Sequence, residues 1–552
     1  MKRILLVVVL LSCNVLFAQA QATHTHQHDR SEKLGVVNFK ISCKPQAQKQ
    51  FNLAVAWLHS FEYEEAERAF NEVTAVDPEC GMGYWGIAMS NYHPLWVQPT
   101  PPQLQQAWSA VEKAKAKSAR TERERSYIAA METFYKDYAT VDHRSRAFAY
   151  SDAMKQLHQL YPSDDEAGVF YALSLIATGM MSQDKTYTRE KQAAEILNRV
   201  LAREPRHPGV AHYLIHSYDY PALAQLALPA ARSYAKIAPA SAHAQHMPSH
   251  IFTRLGLWEE AIRSNLDAHA AAKTFAVRNH MSGAWDEQLH AMDYLAYAYL
   301  QRGQDKRALD VLAELKQIRK VEPQTFKVAY AFTAIPARYV LERHQWIEAA
   351  KLTSPAEEYK DFPWPRFPWA EANIHFARAI GASRSGDVAA ARAEIDQLAA
   401  VRQKVVAVKG DYDWAKQIDI QSMMATAWLR YAEGNHEEAL KLARSAADLD
   451  DATEKHPVTP GAILPAREQL GDLLLELKQP AEALREFETS FRSTPNRFNG
   501  LYGAARAAKL AGNEKSAKLY YTKLLDLARD ADSTRPEIVE AREVVANVAL
   551  KN

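Results

Sequence analysis

Apolar residues along this chain recur at the interval of helices that bury one face, and the two-residue alternation of half-buried strands is absent. In PAREQLGDLLLELKQPAEALREFETSFRSTP, Leu470, Gly471 and Leu474 are followed by Ala483, Phe487 and Pro495, which marks a helix, a turn and a second helix. Small residues at such positions let two helices approach, and large ones fill the space between them. The next segment repeats the pattern, with Ala517 34 residues after Ala483. At the other end Leu53, Ala54 and Trp57 precede Ala66, Phe70 and Pro78 at the same spacing, and YWGIAMS opens a further unit. Between these ends the pattern predicts about a dozen helix pairs, some enlarged by loops such as PLWVQPTPP and SQDKTYTREK.

The order W-x2-L-G-x2-Y, A-x3-F and a closing Pro resembles the tetratricopeptide repeat. It implies an all-α fold, a TPR-type α-solenoid coiled as a right-handed superhelix. The segments LHSFEYEEAERAF, DPECGMGYWGIAMS, HMPSHIFTRLGLWEEAI and HPVTPGAILPARE further resemble a family of exported bacterial tetratricopeptide proteins of poorly defined function. They are distantly similar to the family around tetratricopeptide repeat protein 38, and neither resemblance implies a reaction. The expected organisation is a signal peptide over 1–22, a His-containing tail over 23–42 and an N-terminal array with a His-rich groove over 43–275. Irregular central repeats follow over 276–450, then C-terminal repeats over 451–552 behind a Pro/Gly loop.

Lys plus Arg (67) balances Asp plus Glu (66), so no net field favours nucleic acid or an anionic membrane. The expected partners are a peptide, a protein or a small molecule, with no nucleic acid and no transmembrane segment. The start, MKRILLVVVLLSCNVLFAQAQA, has a basic end, a short apolar stretch and A-x-A spacing at Ala18, Ala20 and Ala22, the form of a cleaved secretory signal. The expected location is therefore periplasmic or secreted. Lipid anchoring at Cys13 is disfavoured, because apolar residues continue past it and Leu11 suits a lipoprotein box poorly. Cys43 and Cys80 flank the first helix pair, whose antiparallel course brings its two ends together. A disulfide between them is expected in an oxidising compartment, the alternative being two buried thiols.

The candidate chemistry lies in histidine. His212 and His216 in AHYLIHSYD, and His246 and His250 in QHMPSHIF, form two i, i+4 pairs set 34 residues apart. Each pair projects from one helical face. The tetratricopeptide resemblance implies that the inner helix positions line a concave groove, which these four residues, Asp219, His290, Asp293, Tyr297 and Trp85 would then share. Such a wall could contact a ligand directly, or it could hold a metal, with His212, His216, His246 and His250 as ligands. Zinc suits a His/Asp set best, with copper or nickel as alternatives. Without metal, the same imidazoles would simply hydrogen-bond to Asp, Tyr or a ligand. No H-E-x-x-H base, nucleophile triad, P-loop or dinucleotide fingerprint is present, so binding is favoured over catalysis. Pro248 inside HMPSH requires either a first-turn position or a kink. The breaker-rich loop around His456 either crosses the groove to present that ring or is a plain connector. Trp364, Phe367 and Trp369 in DFPWPRFPW are read as a plug between irregular repeats rather than a ligand wedge.

Overall fold

A computed structural model describes residues 33–549, apart from Ser118, Gln183 and 408–411. The expected signal peptide, and the histidines of the tail at 24, 26 and 28, lie outside the described residues.

The chain forms antiparallel helix pairs stacked in sequence order, an all-α solenoid of tetratricopeptide type. Pro45–His59 pairs with Tyr63–Val76, Pro208–Tyr218 with Ala224–Ile237, Ala466–Glu476 with Pro480–Ser490 and Phe498–Leu510 with Glu514–Leu527. The repeat pattern works sterically as its spacing implies. A Cβ added at Gly471 would stand 2.7 Å from the Phe487 ring, so the missing side chain is what admits the aromatic ring between the helices. Burial of a large apolar side chain of this kind contributes about 1.5–3 kcal/mol. Cys43 and Cys80 are joined by a disulfide across the first helix pair.

Strand structure is not wholly missing. Ala284–Trp285 and Val321–Glu322 pair in parallel, a two-residue bridge too short to leave an alternating pattern in the sequence.

The array turns back on itself, so remote repeats touch. Trp258 donates from Nε1 to the carbonyl of Asn496 at 2.6 Å, and Arg302 meets Asp530 at 2.7 Å. Arg497 is fully buried and bonds Glu342 at 2.6 Å and Glu468 at 2.8 Å. Near the N-terminus, His59 reaches Tyr213 of the Pro208–Tyr218 helix at 3.0 Å. These closures bury the inner wall instead of leaving it as an open groove.

One expectation changes as a result. Trp85 belongs to the packed interior, edge-on to Phe39 and Phe170 at 5.6 and 5.4 Å, because the N-terminal extended segment fills the space its ring faces. The loop after Asp451 crosses the molecule, and His456 stacks on Trp414 at 5.1 Å, accepts the Val458 N–H on Nδ1 at 3.2 Å and lines a cavity with Tyr330 and Trp369. Trp369 stacks on the other side of this aromatic group, 3.9 Å from Trp414.

Candidate metal centre

Two short helices carry much of the site. Ser241 caps the first, Ala242–His246, by accepting the Ala244 N–H at 3.1 Å. Met247 then keeps helical dihedrals, and Pro248 opens the second, Pro248–Arg254, at a position where its missing N–H costs no hydrogen bond. The path remains helical through the break, which places His243, His246 and His250 (i, i+3, i+7) along one face. The Pro208–Tyr218 helix supplies His212 and His216, and Asp286–Gln301 supplies His290.

These six imidazoles form two trios. His212, His216 and His243 have ring nitrogens within 4.8 Å of one another, and so do His246, His250 and His290. In the first trio, His212 Nε2 lies 3.0 Å from His216 Nε2 and 3.2 Å from His243 Nε2. In the second, His246 Nε2 and His250 Nε2 are 3.0 Å apart, and the His290 ring centre is 4.1 Å from that of His246. The trios adjoin: His216 to His250 is 6.5 Å and His243 to His246 is 6.4 Å between ring centres. All six side chains are 0–7 % exposed.

Hydrogen bonds behind the rings fix the tautomers. His212 donates from Nδ1 to the His59 carbonyl at 2.6 Å. His246 donates from Nδ1 to Asn265 Oδ1 at 2.7 Å, and the Asn265 amide is itself oriented because its Nδ2 donates to the Ala261 carbonyl at 2.7 Å. His250 donates from Nδ1 to Asp219 Oδ2 at 3.1 Å. A neutral imidazole carries one N–H, so each of these three rings turns a lone pair on Nε2 toward its trio.

The pair His246 and His250 is therefore two lone pairs facing at 3.0 Å. That arrangement is repulsive unless a cation lies between them. A proton is a poor candidate. Burial holds His212 down at about 3 and His250 below its usual value, and it drives His216, His243, His246 and His290 far below theirs, with neighbouring imidazoles adding to the effect. A metal ion bound at about 2.0–2.1 Å to each nitrogen would hold two such atoms roughly 3.0–3.4 Å apart.

The remaining sequence candidates divide by distance from this centre. Asp219 is not positioned as a ligand: it orients His250 and is held by Arg254 at 2.9 Å and Lys455 at 3.4 Å. Asp293 is committed to the buried Arg338, and Tyr297 accepts from Arg497, so neither faces the imidazoles. Both lie on the Asp286–Gln301 helix, but the guanidinium groups from later repeats claim them. Sequence reasoning missed His243, one helical turn before His246, together with Asn265 and Lys455. The His243 signal was legible as an i, i+3 partner. Asn265 and Lys455 reach the site through tertiary contacts that leave no mark in local spacing.

A third buried trio, His59, Glu166 and His207, differs in kind. His207 accepts the Val210 N–H on Nδ1 and so donates from Nε2 to Glu166 at 3.0 Å, while His59 Nε2 meets the other carboxylate oxygen at 2.9 Å. Burial alone would raise Glu166, but the two imidazoles pull its carboxyl well below the usual range. This trio is satisfied internally and braces His59, whose carbonyl orients His212.

A cavity of about 1000 Å³, mouth included, extends to His243 and is lined by Phe61, Trp96, Glu62 and Glu287 among others. Phe61 packs 4.4 Å from His212 and Trp96 5.5 Å from His216. The cavity thus approaches the first trio through an aromatic wall.

No family model and no curated protein matches the chain. Solved structures similar to it include the human IFIT1 dimer with m7Gppp-AAAA, at 14% identity and TM-score 0.37 over 86% of this chain and 95% of that one. The human IFIT1 dimer with PPP-AAAA is similar at 14% identity and TM-score 0.35, over 87% and 90% of the two chains. Those structures were solved with m7Gppp-AAAA and PPP-AAAA bound, and the expectation, drawn from net charge, that a nucleic-acid partner is excluded is withdrawn. Charge summed over a chain does not decide what one local surface binds. Among the described residues, no helix is long and apolar enough to cross a membrane.

Proposed function

We propose that this chain is a metalloprotein whose solenoid encloses two imidazole-bound transition-metal ions, one in the His212/His216/His243 trio and one in the His246/His250/His290 trio. The observation that carries this reading is the pair of inward lone pairs on His246 and His250, 3.0 Å apart, with both ring protons committed to acceptors behind them. Neutral imidazole is the ligating form, and burial keeps the rings neutral. Hydrogen bonds from ligand N–H groups to carbonyl and carboxylate acceptors are the usual means of aiming such rings at an ion. Three protein ligands per ion leave further coordination positions open.

Elemental analysis of full-length protein prepared without an affinity tag tests the assignment. Two ions per chain are expected. His246→Ala with His250→Ala should remove one of them and leave the other, and His212→Ala with His216→Ala should do the reverse. Wild-type protein that remains metal-free even after refolding in the presence of copper or zinc would falsify the proposal.

A further inference from the structure

We propose that both ions are copper and that the reduced pair binds dioxygen between them, reducing it by two electrons. This inference rests on the paired-metal reading above and goes beyond it by naming the metal, its oxidation state and the small molecule it takes.

The donor set comes first. Each trio consists of neutral imidazoles, without carboxylate or thiolate among its three ligands. Imidazole suits copper, zinc, iron and nickel, but a site with no anionic donor leaves the ionic charge of the metal uncompensated. The surroundings do not supply the missing negative charge. Asp219 is the carboxylate bonded to a ligating ring, and it is shared by Arg254 and Lys455. Lys327, on the other side, is paired with Asp286 at 3.3 Å and with Glu287, so those carboxylates are likewise committed to a cation. Two zinc ions would place four positive charges in this buried chamber, whereas two cuprous ions would place two. Desolvation therefore favours the monovalent pair.

Dioxygen uptake preserves that balance. Each cuprous ion gives up one electron and becomes cupric. The two electrons enter the π* orbitals of dioxygen, its π bond is lost, and the O–O single bond remains in a bridging peroxide of charge −2. The total charge in the chamber stays at +2, and no proton is required. The trios adjoin, with His216 6.5 Å from His250 and His243 6.4 Å from His246 between ring centres, so the two ions would be neighbours. Three protein ligands per ion leave coordination positions free for a bridging group. The cavity lined by Phe61, Trp96 and His243 brings open space up to the first trio.

The experiment uses full-length, tag-free protein loaded anaerobically with one or two equivalents of cuprous ion per chain and then exposed to air-saturated buffer. At two equivalents, an oxygen electrode should record one dioxygen consumed per two coppers. A new near-ultraviolet absorption should appear, while the electron paramagnetic signal of isolated cupric ions stays below about a tenth of that expected for the bound copper. The same wild-type chain at one equivalent should show about half the uptake per copper, because independent filling leaves only about a quarter of the chains with both ions, and this comparison needs no variant to fold. Zinc-loaded protein should consume none. Two bound coppers that take up no dioxygen, or that oxidise to a full isolated cupric signal, would overturn this inference and leave the paired-metal reading standing. Failure to bind metal at all would remove both.

Discussion

Asn265 sets the proton on His246, and through it the direction of a lone pair. Its own amide is fixed by the Ala261 carbonyl, so its Oδ1 can only accept. Replacing Asn265 with Leu frees His246 to adopt the other tautomer or to rotate. Metal affinity at the second trio should then fall about 10–100-fold, the usual cost of losing an outer hydrogen-bond partner. Competition against a chelator of known affinity measures this. Asn265→Asp, which retains an acceptor, should lose less, and equal losses for the two variants would show that the contact is merely steric. Asp219 acts in the same way on His250, but it also neutralises Arg254 and Lys455, so its removal would perturb more than one group. His212 takes its orientation from a backbone carbonyl, which no side-chain substitution can delete.

At the scale of elements, one helical face serves two ions: His243 belongs to one trio, and His246 and His250, on either side of the break at Pro248, belong to the other. The neighbouring Pro208–Tyr218 helix is set by a close approach at Gly209, where an added Cβ would meet His59 Nδ1 at 2.6 Å. Gly209→Ala should therefore displace His59 and, with it, the carbonyl that holds His212. The expected cost is about 1–3 kcal/mol in stability, read from chemical denaturation, with weakened metal binding at the first trio. An alanine variant with unchanged stability and affinity would show that the ring yields freely. The helix pairs and the 34-residue register of the two histidine pairs were legible in sequence, because they follow from local periodicity and a repeating unit. The fates of Asp293, Tyr297, Trp85 and His456 were not. Each depends on a partner brought in from another turn of the solenoid: Arg338, Arg497, the Phe39 segment and Trp414 respectively. Repeat position says which way a residue points within its own unit, and nothing about what arrives opposite it.

For the whole molecule, enclosure of six neutral imidazoles makes stability depend on pH. The unfolded chain protonates these rings as pH drops through 6.5, whereas folded His212 resists until about 3. Stability of the metal-free protein should therefore be full above 6.5 and drain away as pH falls from 6.5 toward 3. Glu62 works in the opposite sense. Burial first, and the charge of Glu287 next, raise its carboxyl from 4.5 to about 8, so its contribution is full below 4.5 and lost by about 8. Six imidazoles outweigh it on the acid side. Urea midpoints for metal-free protein should be lower at about pH 5 than at about pH 7, and identical midpoints would contradict neutral, buried rings.

The ligands occupy the middle stretch of the chain. All six lie between His212 and His290, and nearly half of the polypeptide follows them. Repeats from that later half then close over the chamber, with Lys455 reaching Asp219 and Val458 receiving the Tyr294 hydroxyl. An ion captured by the earlier repeats during synthesis would be sealed in by the later ones, so its exchange in the finished protein would be governed by how rarely the coil reopens rather than by the strength of its bonds to nitrogen.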